Sequence, residues 1–452
     1  MSAKHIKSKL VRNFGANAYG QLITVAIQLV SVPFYLHFWG VGLYGEWLIL
    51  SAIPAYLTLS DIGFASVAAN DMTMRVAKGD KQGALEVYQS IWIFICIVST
   101  IAGVALVLLI YLFPLNRIFS LSYISNTQTK QLLTVLVMYM LVGLQSGVLS
   151  AAFRAVGRYA YGTVINNSIR LAEWILAMIV LVLGGGVLFV AMATFAIRIV
   201  GILVMWALIR KQEQWLFLGI RVASLTKIRE LFRPAVAFMA FPLGLALTLQ
   251  GMVIVIGMML GSTAVVIFSA YRTLTRLVVQ IITMLNQAIW PEISSAYGTG
   301  KIELIIQIHR KGSSITFWIA LAAVTTLGFA GEWIIGVWTR HTFQHDHTLL
   351  VLMLITTLLN VLWQTSWVVL MATNKHEKIS IVFIASAASA LLLSVIAIPV
   401  LGINGIGVML LIAEIPLLLF AIHSALDLLN DKWSDYMKAV ISNPLSRGVV
   451  IL

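Results

Sequence analysis

The stretch YQSIWIFICIVSTIAGVALVLLIYLF, residues 88–113, decides the fold. It holds 26 residues and no charge. At about 1.5 Å of rise per residue, a helix of that length crosses the roughly 30 Å of hydrocarbon in a bilayer. Working outward, comparable stretches fill the chain. Twelve spans are predicted, at 14–38, 43–68, 88–113, 131–153, 161–183, 187–209, 232–259, 264–290, 313–336, 348–371, 379–400 and 403–424.

Composition agrees with that reading. Of 452 residues, 60% are hydrophobic and 10% are charged, against about 25% charged in a soluble domain. So few charges cannot cover a water-facing surface. A soluble enzyme, a nucleic-acid module and a disordered chain are excluded on this ground. The single cysteine, Cys96, lies inside the quoted stretch and permits no intrachain disulfide. A basic head (Lys4, Lys7, Lys9, Arg12) runs into a first span too long and too polar for a cleavable signal. The tail from about 425 carries apolar residues but no thirteenth span.

Basic residues orient the spans, because Lys and Arg accumulate on the cytoplasmic side. With the N-terminus placed inside, cytoplasmic segments hold 23 of the 30 Lys and Arg residues. The outer loops hold three (Arg117, Lys130, Arg340), and four lie within spans. The net charge of +13 is therefore a topology signal rather than a nucleic-acid patch. Both termini are expected in the cytoplasm. Trp39, Trp47, Trp290, Trp333 and Trp338 fall near span ends, as interfacial aromatic belts do.

The two halves resemble each other at an offset of roughly 220 residues. Arg154-Ala-Val-Gly-Arg158-Tyr follows span 4, and Met371-Ala-Thr-Asn-Lys375-His follows span 10. Val182-Leu-Gly-Gly is matched by Val400-Leu-Gly-Ile, and Lys78-Gly-Asp-Lys81 by Tyr297-Gly-Thr-Gly-Lys301. The expected fold is an all-α polytopic membrane protein of two six-helix lobes related by a parallel repeat. The expected domains are a first lobe at 1–209, a basic linker at 210–231, a second lobe at 232–424 and a cytoplasmic tail at 425–452. Parallel repeats suit alternating access by rocking of two lobes.

Polar side chains are costly in lipid, so their alignment within spans is informative. Span 8 carries Ser269, Arg272, Arg276, Gln280, Thr283 and Gln287, all three or four residues apart and so on one helical face. Span 1 carries Asn13, Asn17, Gln21, Thr24, Gln28 and Ser31 with the same spacing. Span 5 has Thr163, Asn167, Arg170 and Glu173; span 10 has Thr357, Asn360 and Gln364. Two readings compete: hydrogen bonds between neighbouring helices, or the wall of a hydrated cavity. Helix glue is expected for Asn360 and Gln364, and Arg170 and Glu173 are spaced to pair with each other. A cavity is expected for spans 1 and 8. Arg272 and Arg276 repel each other one turn apart, span 8 has no acid of its own, and both lie too deep to snorkel outward. Such a pair makes sense if an anion visits.

Three more charges fall within spans. Arg198 and Glu414 occupy near-equivalent places in the halves and are candidates to pair with each other or with Glu173. Asp61 is a candidate proton or cation site, hinge contact or cap, and Glu46 is expected at the interface. Pro33, Pro54, Pro234 and Pro242 interrupt their helices.

One region carries a family resemblance. Pro33-Phe-Tyr-Leu-His-Phe-Trp-Gly40, then Gly42-Leu-Tyr-Gly45-Glu-Trp, is followed by Leu59-Ser-Asp61-Ile-Gly63-Phe and by a polar segment to Lys81. This resembles the polysaccharide transporter, or O-antigen flippase (Wzx-type), branch of the multidrug/oligosaccharidyl-lipid/polysaccharide exporter superfamily. The resemblance implies a V-shaped pair of lobes in the bacterial inner membrane. It implies translocation of an undecaprenyl-diphosphate-linked oligosaccharide, and a setting beside a polysaccharide polymerase and chain-length regulator. The substrate-binding residues expected are Arg272, Arg276, Gln280, Gln287, Gln21, Gln28, Arg198 and Arg170. Those expected to couple or gate are Asp61, Glu173 and Glu414. No cofactor or metal is expected; a proton or sodium gradient is the candidate driving force.

Three rival readings bear on the same residues. A drug exporter of the superfamily is kept open by Asp61 and Glu414. A facilitator-type transporter fits poorly, because the loop after span 2 lacks its basic glycine-rich motif. A membrane glycan ligase or polymerase needs a reactive outer loop, and 114–130 contains no acid, histidine or cysteine. His341, His345, Asp346 and His347 form an outer cluster, read as solvated loop rather than metal site.

Overall fold

The computed structural model describes residues 3–55, 59–373 and 375–442, without the side chains of 3–11, 55, 59–63, 233–241 and 295. Among these residues the regular elements are all helical. They are α1 (Ala3–Ala55), α2 (Leu59–Ala77), α3 (Lys81–Leu112), α4 (Leu115–Ile118), α5 (Asn126–Ala155), α6 (Tyr159–Val182), α7 (Val187–Gln212) and α8 (Leu225–Ala246). A π-helical turn (Leu247–Gly251) then leads into α9 (Met252–Gly298), α10 (Ile302–Trp338), α11 (His347–Ala372), α12 (Glu377–Leu401), α13 (Asn404–Leu429) and α14 (Trp433–Ile441).

Ten stretches of the described residues are long and apolar enough to cross a membrane. Two of them, Arg12–Pro54 and Pro242–Gly298, run 43 and 57 residues, about twice what one passage needs. Each is broken at a glycine with left-handed backbone: Gly40 at φ +70° and Gly261 at φ +82°. A side chain strains that conformation, so glycine marks the break. The breaks fall between predicted spans 1 and 2 and between predicted spans 7 and 8.

The duplication is written in the turns more clearly than in side chains. Positive φ recurs at Gly40 and Gly261, at Gly79 and Gly300, at Ser120 and His341, and at Gly184 and Gly402. Hydrogen bonds recur with them. Asp80 N donates to Arg75 O, and Lys301 N to Ala296 O, both at 2.9 Å. Arg158 N donates to Phe153 O, and Lys375 N to Leu370 O, both at 2.8 Å.

The chain divides into two compact units, Met1–Ala246 and Leu247–Leu452. The division falls inside the seventh predicted span, because α8 packs on α2 and α3 while the π-helical turn packs on α9 and α12. In the first unit, α5 is central, touching α2, α3, α6 and α7. It buries Leu132, Leu133, Leu136 and Val137. In the second, α11 holds the matching place against α9, α10 and α13, burying Leu349, Leu350, Met353 and Leu354. The opposite surface is apolar too. Ile97, Ile101, Val104, Leu108 and Tyr111 of α3 stand exposed at three- and four-residue steps. A face like that is costly in water and suits lipid.

The segment 210–231, predicted as a linker, is laid against α3 in part. Gln89, fully buried, accepts from Val222 N at 3.0 Å and donates to Phe217 O at 3.2 Å. Ser90 Oγ accepts from Ser224 N at 2.9 Å. Helix α8 has already begun at Leu225.

Candidate functional site

In the first unit Arg198 and Glu173 neutralise each other. Arg198 of α7 meets Glu173 of α6 through Nε to Oε1 at 2.7 Å and Nη2 to Oε2 at 2.9 Å. The Tyr139 hydroxyl of α5 donates to Glu173 Oε2 at 3.0 Å and accepts from Arg198 at 2.8 Å. The guanidinium also lies 5.0 Å from the Tyr139 ring centroid. Glu173 therefore pairs with Arg198 and not with Arg170 one turn before it. Arg170 reaches across to Thr24 Oγ1 at 2.9 Å.

That contact belongs to a series. Tyr159 donates to Asn17 at 2.9 Å, and Trp174 Nε1 donates to Ser31 Oγ at 2.8 Å. Tyr19 and Ser168 hydroxyls lie 3.1 Å apart. Asn17, Thr24 and Ser31, spaced by seven, thus bind α1 to α6. At these three positions the span 1 stripe makes interhelical hydrogen bonds, with Asn17 still exposed. Gln21 and Gln28 lie half-buried on the same stripe.

In the second unit the arginine pair separates into two roles. Arg272 Nη1 donates to Leu249 O, a carbonyl of the π-helical turn, and its guanidinium lies 5.3 Å from the Phe268 ring centroid. A π-turn breaks the regular i to i−4 ladder, and Arg272 supplies a donor there. Arg276 is half-buried and makes no ion pair or side-chain hydrogen bond among the described residues. Gln280 is half-buried and Gln287 exposed along the same face. Ser269 Oγ is buried with no partner among the described residues.

Glu414 of α13 has neutral partners. Trp363 Nε1 donates to Oε2 at 2.6 Å, and Asn360 Nδ2 lies 3.2 Å from Oε1. Gln364 in turn donates to Asn360 Oδ1 at 2.7 Å, fixing the amide. The glue expected of Asn360 and Gln364 is therefore present, built around a carboxylate. No cation lies within ion-pair distance of Glu414 among the described residues. The pairing of Arg198 with Glu414, one of two alternatives, gives way to Arg198 with Glu173. The side chain of Asp61 falls outside the described residues.

Sequence reasoning missed two anchors. Glu46 is 1% exposed. Its carboxylate accepts from the backbone N–H groups of Ser122, Tyr123 and Ile124, the last two at 2.8 Å. It pins the loop before α5 onto α1. A Cβ at Gly42 would lie 2.2 Å from the Tyr123 ring, so glycine there lets the loop close. Tyr35 and Tyr44 stack 5.3 Å apart beside them. The Gly42-Leu-Tyr-Gly-Glu stretch was visible, but nothing in its periodicity announced a loop clamp. Tyr139 had no signal at all, being one aromatic in an apolar span.

Within the outer cluster, His347 and Asp346 are engaged elsewhere. His347 Nδ1 lies 2.8 Å from Glu332 Oε1. Asp346 caps α11 by accepting from Leu349 N at 2.9 Å. Among the described residues no group of three His, Cys, Asp or Glu is placed to hold a metal.

A family model described as polysaccharide biosynthesis protein matches residues 10–297. Among curated protein sequences there is no significant match. An inward-facing multidrug resistance MATE family transporter of the MOP superfamily superposes with a TM-score of 0.75 at 16% identity, over 93% of this chain and 96% of that one. The lipid II flippase MurJ, in an inward closed conformation, gives 0.69 at 12% identity over 96% and 90%. An outward-facing MATE family transporter gives 0.58 at 16% identity over 94% and 96%. At these identities the likeness is one of fold: the two-lobe fold of MOP-superfamily transporters.

Proposed function

This chain belongs to the polysaccharide biosynthesis protein family, and we propose that within it the protein flips a lipid-linked oligosaccharide. The cargo in this reading is an undecaprenyl-diphosphate-linked repeat unit. It moves from the cytoplasmic to the periplasmic leaflet of a bacterial inner membrane, for O-antigen-type surface polysaccharide. Both termini sit in the cytoplasm, where most of the basic residues gather. The two lobes alternate access, and no covalent bond is made or broken.

One observation carries the reading: Arg276 is half-buried in a membrane helix with no acid to neutralise it among the described residues. An uncompensated charge in lipid is expensive, so its retention calls for an anion that comes and goes. A diphosphate is such an anion, and guanidinium binds it strongly in a dry cleft. Gln280 and Gln287 on the same face offer donors and acceptors to sugar hydroxyls. Arg272, held by the π-turn, positions the helix and adds positive potential. Among known folds of this kind, MurJ is described as a lipid II flippase, which makes a lipid-linked cargo the natural one to test.

Glu414 supports a coupling role. A carboxylate held by Trp363 and Asn360 can exchange a proton or a small cation without breaking an ion pair. The same feature favours the second reading, a small-molecule exporter driven by an ion gradient. Deleting the gene in the source bacterium separates them. Flipping predicts a complete lipid-linked repeat unit trapped on the cytoplasmic face, with surface polysaccharide lost. Normal glycan with altered drug sensitivity, in a strain without a second flippase, would support export instead.

A further inference from the structure

Helix α14 carries two apolar faces, and the protein covers one. Tyr436 and Val440 are 1% and 2% exposed, packed with Ile422, Leu426, Phe317, Leu362 and Leu418. Trp433, Met437 and Ile441, also four residues apart, remain 40%, 41% and 58% exposed. With 3.6 residues per turn, the two stripes adjoin in one apolar arc of roughly 140°. Ser434 and Lys438 border its open edge.

Its position fixes what the open stripe faces. Helix α14 follows membrane helix α13 after Asn430, whose left-handed φ of 52° turns the chain. Arg310 of α10 binds Asp431 in bidentate fashion and lies 3.8 Å from Asp435. At the far end, Ser442 O accepts from Ser314 Oγ at 3.0 Å and from Trp318 Nε1 at 3.2 Å. Ser314 and Trp318 stand at the start of the ninth predicted span, 313–336. The helix therefore runs beside the first turns of that predicted span. Its nearby acids are spent on Arg310. Lys432 and Lys438 are exposed and make no ion pair among the described residues.

We propose that α14 is an interfacial helix whose Trp433, Met437 and Ile441 stripe lies in the headgroup–acyl boundary of the lipid leaflet, with Lys432 and Lys438 at the phosphates of anionic lipids. An apolar stripe beside lysines, on a helix parked at the membrane surface, is the composition of a helix that binds anionic bilayers. The lysine stems cover apolar surface while their ammonium groups reach phosphate. Tryptophan favours the same depth. The proposal holds for any cargo.

Site-directed spin labelling tests it on the full-length protein. In a Cys96→Ser background, Ser434→Cys, Met437→Cys and Ile441→Cys are labelled singly in phosphatidylethanolamine–phosphatidylglycerol vesicles. The labels at 437 and 441 are expected to relax several-fold more with oxygen than with a water-soluble nickel chelate, and the label at 434 the reverse. Equal nickel access at all three sites overturns the proposal. Shielding of 437 and 441 from both reagents also overturns it, because protein would then cover the stripe. In the Lys432→Gln/Lys438→Gln variant, the 437 label is expected to become shallower with phosphatidylglycerol and to be unchanged in phosphatidylcholine vesicles. Equal depth in both would remove the lysines from the account. All the labelled positions are surface-exposed, so folding is preserved, and a thermal unfolding scan of each variant verifies it.

Discussion

In the first unit Arg198 lies against Glu173, with Tyr139 closing the third side; in the second, Arg276 has no acid and Glu414 no cation among the described residues. Arg198 and Glu173 neutralise each other, whereas Arg276 and Glu414 are left open, as is Arg170 of the first unit, which bonds the neutral Thr24 hydroxyl. A neutralised pair resists disturbance and serves as structure. An open charge retains its capacity to bind, and in a transporter that capacity is the useful one. The contrast makes Arg198 and Glu173 the pair to test for scaffolding, and Arg276 and Glu414 the residues to test for the proposed cargo and coupling roles.

The largest effect is expected from breaking the closed pair. Glu173→Gln leaves Arg198 uncompensated and should cost about 3–5 kcal/mol, read as a lower unfolding midpoint of the purified protein. The Glu173→Leu/Arg198→Met double variant should recover much of that loss. A single variant as stable as the parent would break the comparison. Arg272→Met comes next. It orphans the Leu249 carbonyl at about 1–3 kcal/mol, and the unfolding scan should register it.

Glu414→Gln should change stability less, by about 1 kcal/mol or below, since neutral donors remain for the amide oxygen. Its signature should be functional: transport that no longer responds to a proton or sodium gradient. Retained ion dependence would return Glu414 to structure. The smallest effect lies outside the membrane. Asp80 accepts from Gly83 N and sits beside Arg75, and these contacts hold its carboxyl below the usual carboxylate range. A depressed carboxyl stabilises the fold above its unfolded pKa and loses that contribution as pH falls through the folded one. Asp80→Asn should therefore flatten the acid side of the stability profile slightly, with little change at lower pH.

The spans were legible because lipid imposes one requirement, length of apolar helix, and residues 88–113 meet it without ambiguity. The duplication was faintly legible, since what repeats is backbone conformation: Ser120 and His341 share a left-handed φ and nothing else. Periodicity located the stripes on spans 1 and 8 but not their partners. Asn17, Thr24 and Ser31 meet side chains more than a hundred residues away in sequence, and spacing alone carries no such information. Glu173 is one turn from Arg170 yet binds Arg198, because tertiary geometry outweighed local spacing. Glu46 near a span end could be expected at the interface, but its three backbone donors come from a distant loop that spacing does not reveal.

The account turns on Arg276. The direct measurement is affinity of the purified protein for a polyprenyl-diphosphate glycan, compared with Arg276→Gln at matched folding. Losing a charge-assisted contact of about 1.5–3 kcal/mol should weaken binding by roughly ten- to a hundred-fold, with the unfolding midpoint unchanged or raised. A folded Arg276→Gln protein that binds the diphosphate as tightly as the parent would contradict the claim that this open charge is held for an anionic cargo.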